Sequence, residues 1–324
     1  MSHPYKLSKL TLTILSIFPL ATLAEENTTA HLDEIVVTAA GNEQAFKDAP
    51  ASISVVNQQQ LKQHPVNRLE DALQDVPGVN ISGSNANRSD VSIRGLPADY
   101  TLIMVDGRRQ NTRESRPNGN GGFEGGFMPP VNAIERIEVV RGPMSSLYGS
   151  DAMGGVVNII TKPVTNDLHG SVSYYTNQPE DRKEGATNRV GFNLSGALIK
   201  DILQFRLYGN WNKTQADDVG INGDPAIAGR EGVRNKDING RLVWNINKDH
   251  KLTLDSGFSR QGNIYNGDTQ NSSGGLYNNA NYPATKTLAA NKAETARLYR
   301  QNYALTYEGK FDHFDNKTYL TFDK

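Results

Sequence analysis

The second half of the chain alternates apolar residues with small or polar ones, and this period of two constrains the fold more than any other feature. Val190, Phe192 and Leu194 follow the pattern within one run. Because successive side chains of a strand point to opposite faces of a sheet, such runs predict β-strands with one apolar and one polar face. The candidate strands cover residues 170–176, 189–198, 202–212, 238–246, 251–260, 298–308 and 317–323.

The connections between these runs alternate in length: long, short, long, short, long and then intermediate. They span residues 177–188, 199–201, 213–237, 247–250, 261–297 and 309–316. Transmembrane β-barrels have long extracellular loops and short periplasmic turns in this alternation. A soluble sandwich has no reason to place its long loops at one end only. Residues 166–324 are therefore predicted to be antiparallel strands of a transmembrane β-barrel.

Composition excludes several function classes. The chain has 324 residues, enough for about two domains. Its formal net charge of −1 argues against a nucleic-acid partner, which would favour a basic patch. The absence of cysteine excludes disulfides, thiolate metal sites and a cysteine nucleophile. The six histidines are scattered without metal-ligand spacing, so we expect no metal site.

The N-terminus has the pattern of a secretory signal peptide in residues 1–24. Lys6 and Lys9 precede an apolar run over residues 10–23, and Thr22 and Ala24 are small residues at the expected cleavage positions. The alternative is an N-terminal membrane anchor, which the shortness of the run disfavours. We therefore expect export from the cytoplasm.

Residues 48–165 are predicted to form a compact α+β unit. Residues 52–56 alternate as a short strand, and residues 61–76 carry apolar positions that fit one face of a helix. Pro77 and Gly78 would end that helix. Two further strands, at residues 91–95 and 102–107, end in turn residues.

Residues 134–161 are the most distinctive segment of this unit. Two β-rich runs, Ile134–Val140 and Val156–Thr161, are joined by a loop with glycines at 142, 149, 154 and 155. The segment closely resembles the signature near the end of the plug domain in TonB-dependent outer-membrane receptors. The resemblance extends throughout residues 33–165. It implies an α+β plug domain at 48–165, followed by an antiparallel barrel of about 22 strands.

Seven candidate strands fall short of that number. A plug cannot fit inside a sheet of seven strands that does not close, and an open sheet edge in lipid is costly. We therefore expect the chain to be the N-terminal portion of a longer receptor, incomplete in its barrel.

The resemblance also assigns residues 25–47 as a periplasmic tether. A β-prone run just after the signal peptide is similar to the TonB box, which the energy-coupling protein TonB captures by strand addition. Such a tether is expected to be unpaired at rest. The alternative is an ordinary edge strand. The TonB-box residues would be Asp33, Glu34, Ile35, Val36, Val37, Thr38 and Ala39.

A loop rich in arginine, asparagine and glycine follows Asp106-Gly107, where the family has its plug apex. Arg113 and Arg116 resemble positions in receptors for ferric catecholate siderophores, including the colicin I receptor group. Guanidinium groups suit a trianion with aromatic faces, and Phe123 and Phe127 could add ring stacking. The alternative is that the arginines are solvated and the phenylalanines pack the apex. The loop lacks the Gly-Lys-Ser/Thr ending of a phosphate-binding loop.

Two further arginines, Arg94 and Arg141, each follow an apolar strand and precede glycine. In the family, arginines at these positions are buried between plug and barrel and pair with barrel glutamates. Glu135 and Glu138 are predicted to compensate Arg141 locally, or else to lie on a solvated strand face.

The resemblance implies a receptor in the bacterial outer membrane that imports a ferric siderophore of the catecholate class and performs no chemistry on it. Its expected partners are TonB with its inner-membrane energising complex, the siderophore and outer-membrane lipid, with no resident cofactor. Two alternatives stay open. The cargo could be haem or cobalamin, although residues 106–130 lack the histidines expected for haem. The chain could also be a non-transporting remnant that serves as a bacteriocin or phage attachment site. An enzyme is the least favoured class.

Overall fold

The computed structural model describes residues 36–37, 44–45, 52–63, 66, 68–84, 88–110, 128–218, 221, 231–264 and 294–324. The N-terminal elements are β1 (Val36–Val37), β2 (Gln44–Ala45), β3 (Ser52–Asn57), α1 (Gln58–Gln63), α2 (Leu69–Leu73), β4 (Val79–Ser84), β5 (Arg88–Ile93), β6 (Thr101–Val105), β7 (Arg108–Arg109), β8 (Ile134–Arg141), α3 (Ser145–Tyr148) and β9 (Gly155–Thr161). Single 3₁₀ turns lie at Ala98–Tyr100, Val131–Ala133 and Ser150–Ala152.

Strands β3 and β6–β9 form a five-stranded sheet in the order β3-β8-β9-β6-β7. Only β6 and β9 run parallel to each other; strands β4 and β5 form a separate hairpin. All five residues of β6 are buried. Ile103 and Val105 belong to a core that includes α1 and α2, while Leu102 and Met104 belong to a second core. A sheet with both faces covered explains the continuous apolar run of β6.

The helical prediction for residues 61–76 is wrong in its extent. Two short helices, α1 and α2, take its place, and the described residues between them, Val66 and Arg68, are not helical. The sequence there contains Pro65, and a proline disfavours a continuous helix because it has no backbone N–H and restricts the residue before it. The apolar spacing was still informative, because Leu61, Leu69 and Leu73 are all buried in the core. None of the described helices is long and apolar enough to cross a membrane.

Within the predicted TonB box the structure describes only Val36 and Val37. They pair antiparallel with Ala45 and Gln44. The expectation of an unpaired tether is therefore wrong for these two residues, since a nearby segment supplies backbone partners. The other residues of the predicted box lie outside the described residues.

Seven long strands follow: β10 (His169–Asn177), β11 (Thr187–Ile199), β12 (Leu203–Thr214), β13 (Gly232–Asn245), β14 (His250–Ile264), β15 (Glu294–Phe311) and β16 (Phe314–Asp323). They pair in chain order and every pair is antiparallel. The seven predicted strands and their order are confirmed. The alternation of connections is also confirmed and becomes clearer, because the last connection shortens to residues 312–313. We call these seven strands the wall, and residues 52–161 the plug unit.

The wall has an outer face and an inner face, which follow the period of two. On β14, Leu254 and Phe258 are exposed, while Asp255 and Ser259 are buried. The inner face lies against the plug unit: a Cβ built on Gly191 of β11 would come within 3.1 Å of Pro130. Buried polar residues therefore mark the side of the wall that contacts the plug unit.

The glycine pair in the signature loop is required by close backbone approach. A Cβ on Gly155 would lie 2.3 Å from the carbonyl oxygen of Val140 and 2.8 Å from a methyl carbon of Ile93. A Cβ on Gly154 would lie 3.1 Å from the carbonyl oxygen of Tyr100. A side chain at Gly155 would push β9 away from β8, and one at Gly154 would push against the turn at Tyr100, because a backbone oxygen cannot rotate aside.

We predict that Gly155→Ala weakens the plug unit by about 1–3 kcal/mol, the usual cost of overpacking a dense core. Hydrogen exchange at the amides of β8 and β9 would measure this loss. Gly240→Ala is the matched control, because its Cβ would meet only a Leu207 methyl carbon at 3.9 Å. Equal protection in the two variants would contradict the steric explanation.

Candidate functional site at the plug–wall interface

Asp106 begins the tight turn between β6 and β7, and its carboxylate is the centre of the contact between plug unit and wall. Asp106 and Gly107 have φ angles of 49° and 76°, in the left-handed region that non-glycine residues rarely adopt. The backbone N–H and the hydroxyl of Thr161 each donate to the carboxylate at 2.8 Å. Asn158 accepts from the N–H of Gly107 at 3.1 Å. These bonds fix the orientation of the carboxylate.

Arg241 on β13 joins that carboxylate to the wall. One of its terminal nitrogens donates to Asp106 at 2.9 Å, and its Nε donates to Asp255 on β14 at 2.8 Å. Arg108 of the plug unit pairs with the same Asp255 at 3.0 Å and lies 3.8 Å from Asp106. We call Asp106, Arg108, Arg241 and Asp255 the charge cluster. Its two carboxylates balance its two guanidinium groups.

The charge cluster changes the acidity of Asp106. Burial by itself would raise the pKa of this carboxyl. The guanidinium groups of Arg241 and Arg108, together with the hydrogen bonds from Thr161, outweigh burial and hold the pKa of Asp106 below its usual value. The carboxylate is therefore ionised in the folded protein at any pH near neutrality.

A second contact is made by Arg300 on β15. It donates to the backbone carbonyl of Arg109 at 2.6 Å and to the side-chain oxygen of Gln110. These residues directly precede the arginine-rich segment that starts at residue 111. The wall therefore holds the two residues that lead into that segment through a charged side chain.

Two more wall arginines reach backbone carbonyls of the plug unit. Arg206 on β12 donates to the carbonyl of Ala133 at 2.9 Å, and Arg189 on β11 donates to the carbonyl of Val66 at 2.9 Å. Both side chains are almost fully buried. Hydrogen bonds from a charged donor are stronger than neutral ones, so these contacts fix the plug unit at several points.

A small polar cavity of about 10 Å³ lies between plug unit and wall, lined by Arg108, Gln110, Tyr208 and Arg300 among others. This volume is close to the minimum that holds a single water molecule. It is far too small for a siderophore. Within the described residues no group of three or more histidine, cysteine, aspartate or glutamate side chains is placed to hold a metal ion.

The structure places the predicted Arg94 beside Gly142, the residue after Arg141, and the predicted Arg141 beside Gly78. A Cβ on Gly142 would lie 3.1 Å from Arg94, and a Cβ on Gly78 would lie 3.3 Å from Arg141. Arg141 donates to the carbonyl of Pro77. Neither arginine forms an ion pair within the described part of the chain. Pairing with glutamates of a barrel wall stays a prediction for both.

Glu135 and Glu138 do not compensate Arg141, and that expectation is wrong. Both pair with Arg136 instead, Glu138 at 2.9 Å. A register shift between Ile134 and Arg136 explains the arrangement. An extra residue in a strand lets side chains three positions apart reach one partner, which a regular strand would not allow. Glu138 is completely buried, so it is not on a solvated strand face.

The four predicted ligand residues, Arg113, Arg116, Phe123 and Phe127, lie outside the described residues, and their role stays a prediction. The four wall arginines were missed by sequence reasoning. A usable signal existed, because Arg189, Arg206, Arg241 and Arg300 all occupy positions between the apolar residues that alternate along their strands. A long cation on the inner face of such a strand needs a polar partner there.

Comparison with known proteins identifies the two parts. Residues 45–156 match the family model for the TonB-dependent receptor plug domain. The probable TonB-dependent siderophore receptor PirA of Acinetobacter baumannii is 47% identical over 305 residues, which cover 90% of this chain and 39% of that protein. The chain therefore contains a TonB-dependent receptor plug domain and is similar to TonB-dependent receptors over nine tenths of its length. The predicted fold, a plug domain followed by antiparallel barrel strands, is thereby confirmed.

A second relative and a solved structure show the same similarity. The ferrienterobactin receptor of Escherichia coli is 43% identical, over 92% of this chain and 41% of its own length. The crystal structure of PirA from Acinetobacter baumannii superimposes with a TM-score of 0.73 at 46% identity, over 84% of this chain and 39% of that one. The chain thus spans about two fifths of the length of the curated relatives it matches.

We predict that Arg241→Ala destabilises the plug–wall contact by roughly 3 kcal/mol, because it leaves two carboxylates facing a single arginine. Hydrogen exchange at the amides of β6 and β9 would report the change. Lys251→Ala is the matched control, since Lys251 is in a more exposed pair with Glu308 and should cost about 1 kcal/mol or less. In an Asp106→Asn background the cost of Arg241→Ala should shrink; an unchanged cost would contradict direct coupling.

We also predict a pH dependence from Asp106. Its folded pKa is lower than its unfolded pKa, so the ionised carboxylate stabilises the plug–wall contact above the unfolded value of about 3.9. That stability is lost as pH falls through the lower folded pKa. Hydrogen exchange between about pH 5 and pH 2 should therefore show a steeper acid loss in the wild type than in Asp106→Asn. Asp167→Asn, at an exposed carboxyl, should follow the wild type.

Proposed function

We propose that this chain is part of an outer-membrane receptor that imports a ferric siderophore with energy supplied through TonB. The observation that carries the proposal is the plug unit seated on the inner face of antiparallel barrel strands by the charge cluster. A plug held by polar contacts to a barrel is suited to a gated pathway, because such contacts can be exchanged for water without exposing a large apolar surface. The plug-domain match and the similarity of the chain to TonB-dependent receptors support the same function.

A catecholate siderophore is the proposed cargo. The names of relatives include ferric enterobactin receptor PirA of Pseudomonas aeruginosa, which is 43% identical to this chain. The predicted apical residues support this class, because Arg113 and Arg116 provide positive charge and Phe123 and Phe127 provide ring faces. Arg300 supports them from the wall by holding Arg109 and Gln110, the residues that lead into the arginine-rich segment.

The proposed transport cycle has three steps. The ferric siderophore binds the extracellular loops and the apical segment. Binding makes the segment Asp33–Ala39 available in the periplasm, where TonB adds to it as a strand. Force on that segment then rearranges the plug so that the ligand passes, without covalent change to the ligand. In this proposal residues 1–24 are the signal peptide, 25–47 the tether, 48–165 the plug and 166–324 barrel strands.

The decisive experiment uses the full gene product in its own bacterium. Uptake of radioactive iron is measured in iron-starved cells, with and without the gene and with and without TonB. The iron is supplied as a ferric tris-catecholate, a ferric hydroxamate or haem, and cobalamin uptake is measured in parallel. We expect only the catecholate uptake to require both the gene and TonB. Uptake of another cargo alone would replace the catecholate assignment, and no gene-dependent uptake would overturn the transport proposal.

We predict that the double variant Arg113→Ala and Arg116→Ala reduces catecholate binding and uptake by at least about tenfold, or about 1.4 kcal/mol. The matched control is Lys200→Ala with Lys248→Ala, which removes two cations from the short turns at the opposite end of the wall. Binding to whole cells and outer-membrane abundance are measured for both. Normal binding in the first variant would remove these arginines from the ligand site.

A further inference from the structure

Four buried side-chain oxygens on the inner face of the wall have no hydrogen-bond donor in the part of the chain that the structure describes. They lie near the ends of β12, β13 and β14 that lead into the long connections. Three belong to amide groups and one to a carboxyl group: Asn212 Oδ1, Asn235 Oδ1, Gln261 Oε1 and Asp237 Oδ1. We call these four atoms the oxygen cluster.

The register of the wall makes these residues neighbours. Asn212 stands opposite Asn235 on the adjacent strand, and Asn235 stands opposite Gln261 on the next strand. Directly opposed side chains on one face of an antiparallel sheet have their Cβ atoms about 4.5–5.5 Å apart. Asp237 is two residues farther along β13, so its side chain points to the same face as that of Asn235. The four oxygens therefore belong to one small patch.

This patch is shielded from water. The side chains of Asn235 and Gln261 are almost fully buried, and all four oxygen atoms are inaccessible to solvent. A buried polar atom without a hydrogen bond destabilises a fold, and most such atoms in native proteins have a partner. Four of them at neighbouring positions therefore indicate a bound group that satisfies them together.

The donors beside the patch are directed elsewhere. Nε of Arg189 donates to Asn210 at 3.0 Å, and a terminal nitrogen of Arg189 donates to the carbonyl of Val66 at 2.9 Å. The carboxyl group of Asp237 has amide neighbours in Asn210 and Asn239, and Asn239 approaches its Oδ2 at 3.5 Å. Among the described residues, none of these donors reaches the oxygen cluster.

Oxygen acceptors that lack donors select a cation as the bound group. Carboxylate and amide oxygens are the ligands that hard cations prefer. Neutral carbonyl oxygens can also replace the hydration shell of a monovalent ion. A water molecule has only two protons to donate, so a single water leaves part of the oxygen cluster without a partner. One cation attracts all four oxygens at once.

The local charge favours an ion with a single charge. Arg189 lies within electrostatic reach of two carboxylates, Asp237 on the wall and Asp71 in the plug unit. One guanidinium against two carboxylates leaves one negative charge, which a monovalent cation neutralises. The affinity of a Ca²⁺ site depends on the number of charged ligands, and the oxygen cluster contains one carboxyl group.

We propose that the oxygen cluster binds a dehydrated monovalent cation, sodium or potassium. The amide oxygens of Asn212, Asn235 and Gln261 coordinate the ion, and Asp237 compensates its charge. The ion ties β12, β13 and β14 together on the side of the wall that contacts the plug unit. Such a site contains no histidine or cysteine and only one carboxyl group, so the spacing of histidines gives no sign of it. The inference does not depend on the identity of the transported cargo.

The test uses the full gene product, purified from outer membranes in a mild non-ionic detergent and exchanged into choline chloride. Hydrogen exchange at the amides of β12, β13 and β14 is measured while sodium or potassium replaces choline at constant ionic strength. Where opening of the strands requires release of the ion, exchange slows by a factor of one plus the ion concentration divided by its dissociation constant. We expect exchange to slow by at least about tenfold at high ion concentration.

Two outcomes of this titration would overturn the proposal. Equal exchange in choline, sodium and potassium would mean that no monovalent ion is bound at the oxygen cluster. A slowing that Ca²⁺ produces, and sodium and potassium do not, would replace the monovalent ion by a divalent one.

A variant of Gln261 separates coordination from packing. Gln261→Met removes one coordinating oxygen and nearly keeps the shape of the side chain, so the slowing by sodium or potassium should fall by at least about tenfold. In choline this variant should exchange no faster than the wild type, because it no longer buries an unbonded oxygen. Gln301→Met is the matched control, since Gln301 stands opposite the exposed Phe258 on the outer face. Equal ion responses in the two variants would contradict the assignment.

Asn235→Leu tests the same site on the neighbouring strand and should also lose the ion response. Heat-modifiable migration on a gel shows which variants fold as closed barrels. Crystals of the full gene product are soaked with thallium(I), a heavy monovalent cation whose position anomalous scattering reveals. We expect a peak at coordination distance from Asn235 Oδ1 and Gln261 Oε1 that is lost in Gln261→Met with Asn235→Leu. A peak that persists in this double variant, or ordered water alone at the wild-type cluster, would overturn the proposal.

Discussion

The balance of charge between plug and wall is the constraint on which the rest of the structure depends. Asp106 and Arg108 come from the plug, while Arg241 and Asp255 come from two adjacent wall strands. Burying any one of these charged groups alone would cost several kcal/mol. When all four are buried together, the two positive and two negative charges compensate one another. The Asp106–Gly107 turn, the position of β6 and the register of β13 against β14 must all fit this one arrangement.

This way of holding a domain has a specific advantage. The plug contacts the wall through hydrogen bonds and ion pairs, such as those of Arg189, Arg206 and Arg300, and keeps its two apolar cores within itself. Polar contacts are geometrically selective, yet the groups that make them are well solvated when they separate. Domains joined in this way can be both accurately seated and separable.

The sequence predicted the elements in which apolar residues recur at the spacing of a strand or a helix. Apolar alternation located all seven wall strands, but it began β13 too late: the strand starts at Gly232, and Arg234 and Lys236 occupy the outward positions where the pattern would require apolar residues. Helical spacing identified the buried residues of α1 and α2 while overlooking the effect of Pro65. Contacts that depend on three dimensions could not be predicted. Glu135 joins Glu138 in pairing with Arg136 at a register shift that no sequence pattern marks, and the charge cluster unites residues from 106 to 255 that only the folded sheet brings together.

The order of the plug sheet has a mechanical consequence. Strand β3 is the first strand of the plug unit and lies at the edge of its sheet, where β8 is its one partner among the strands that the structure describes. The parallel pair of β6 and β9 lies on the far side of β8 from β3. A pull on the N-terminal side therefore loads the ladder between β3 and β8 first, and that ladder can part while every other strand pairing stays closed. In the proposed transport, the strand nearest the pull of TonB is therefore also the one whose departure disturbs the fewest neighbours.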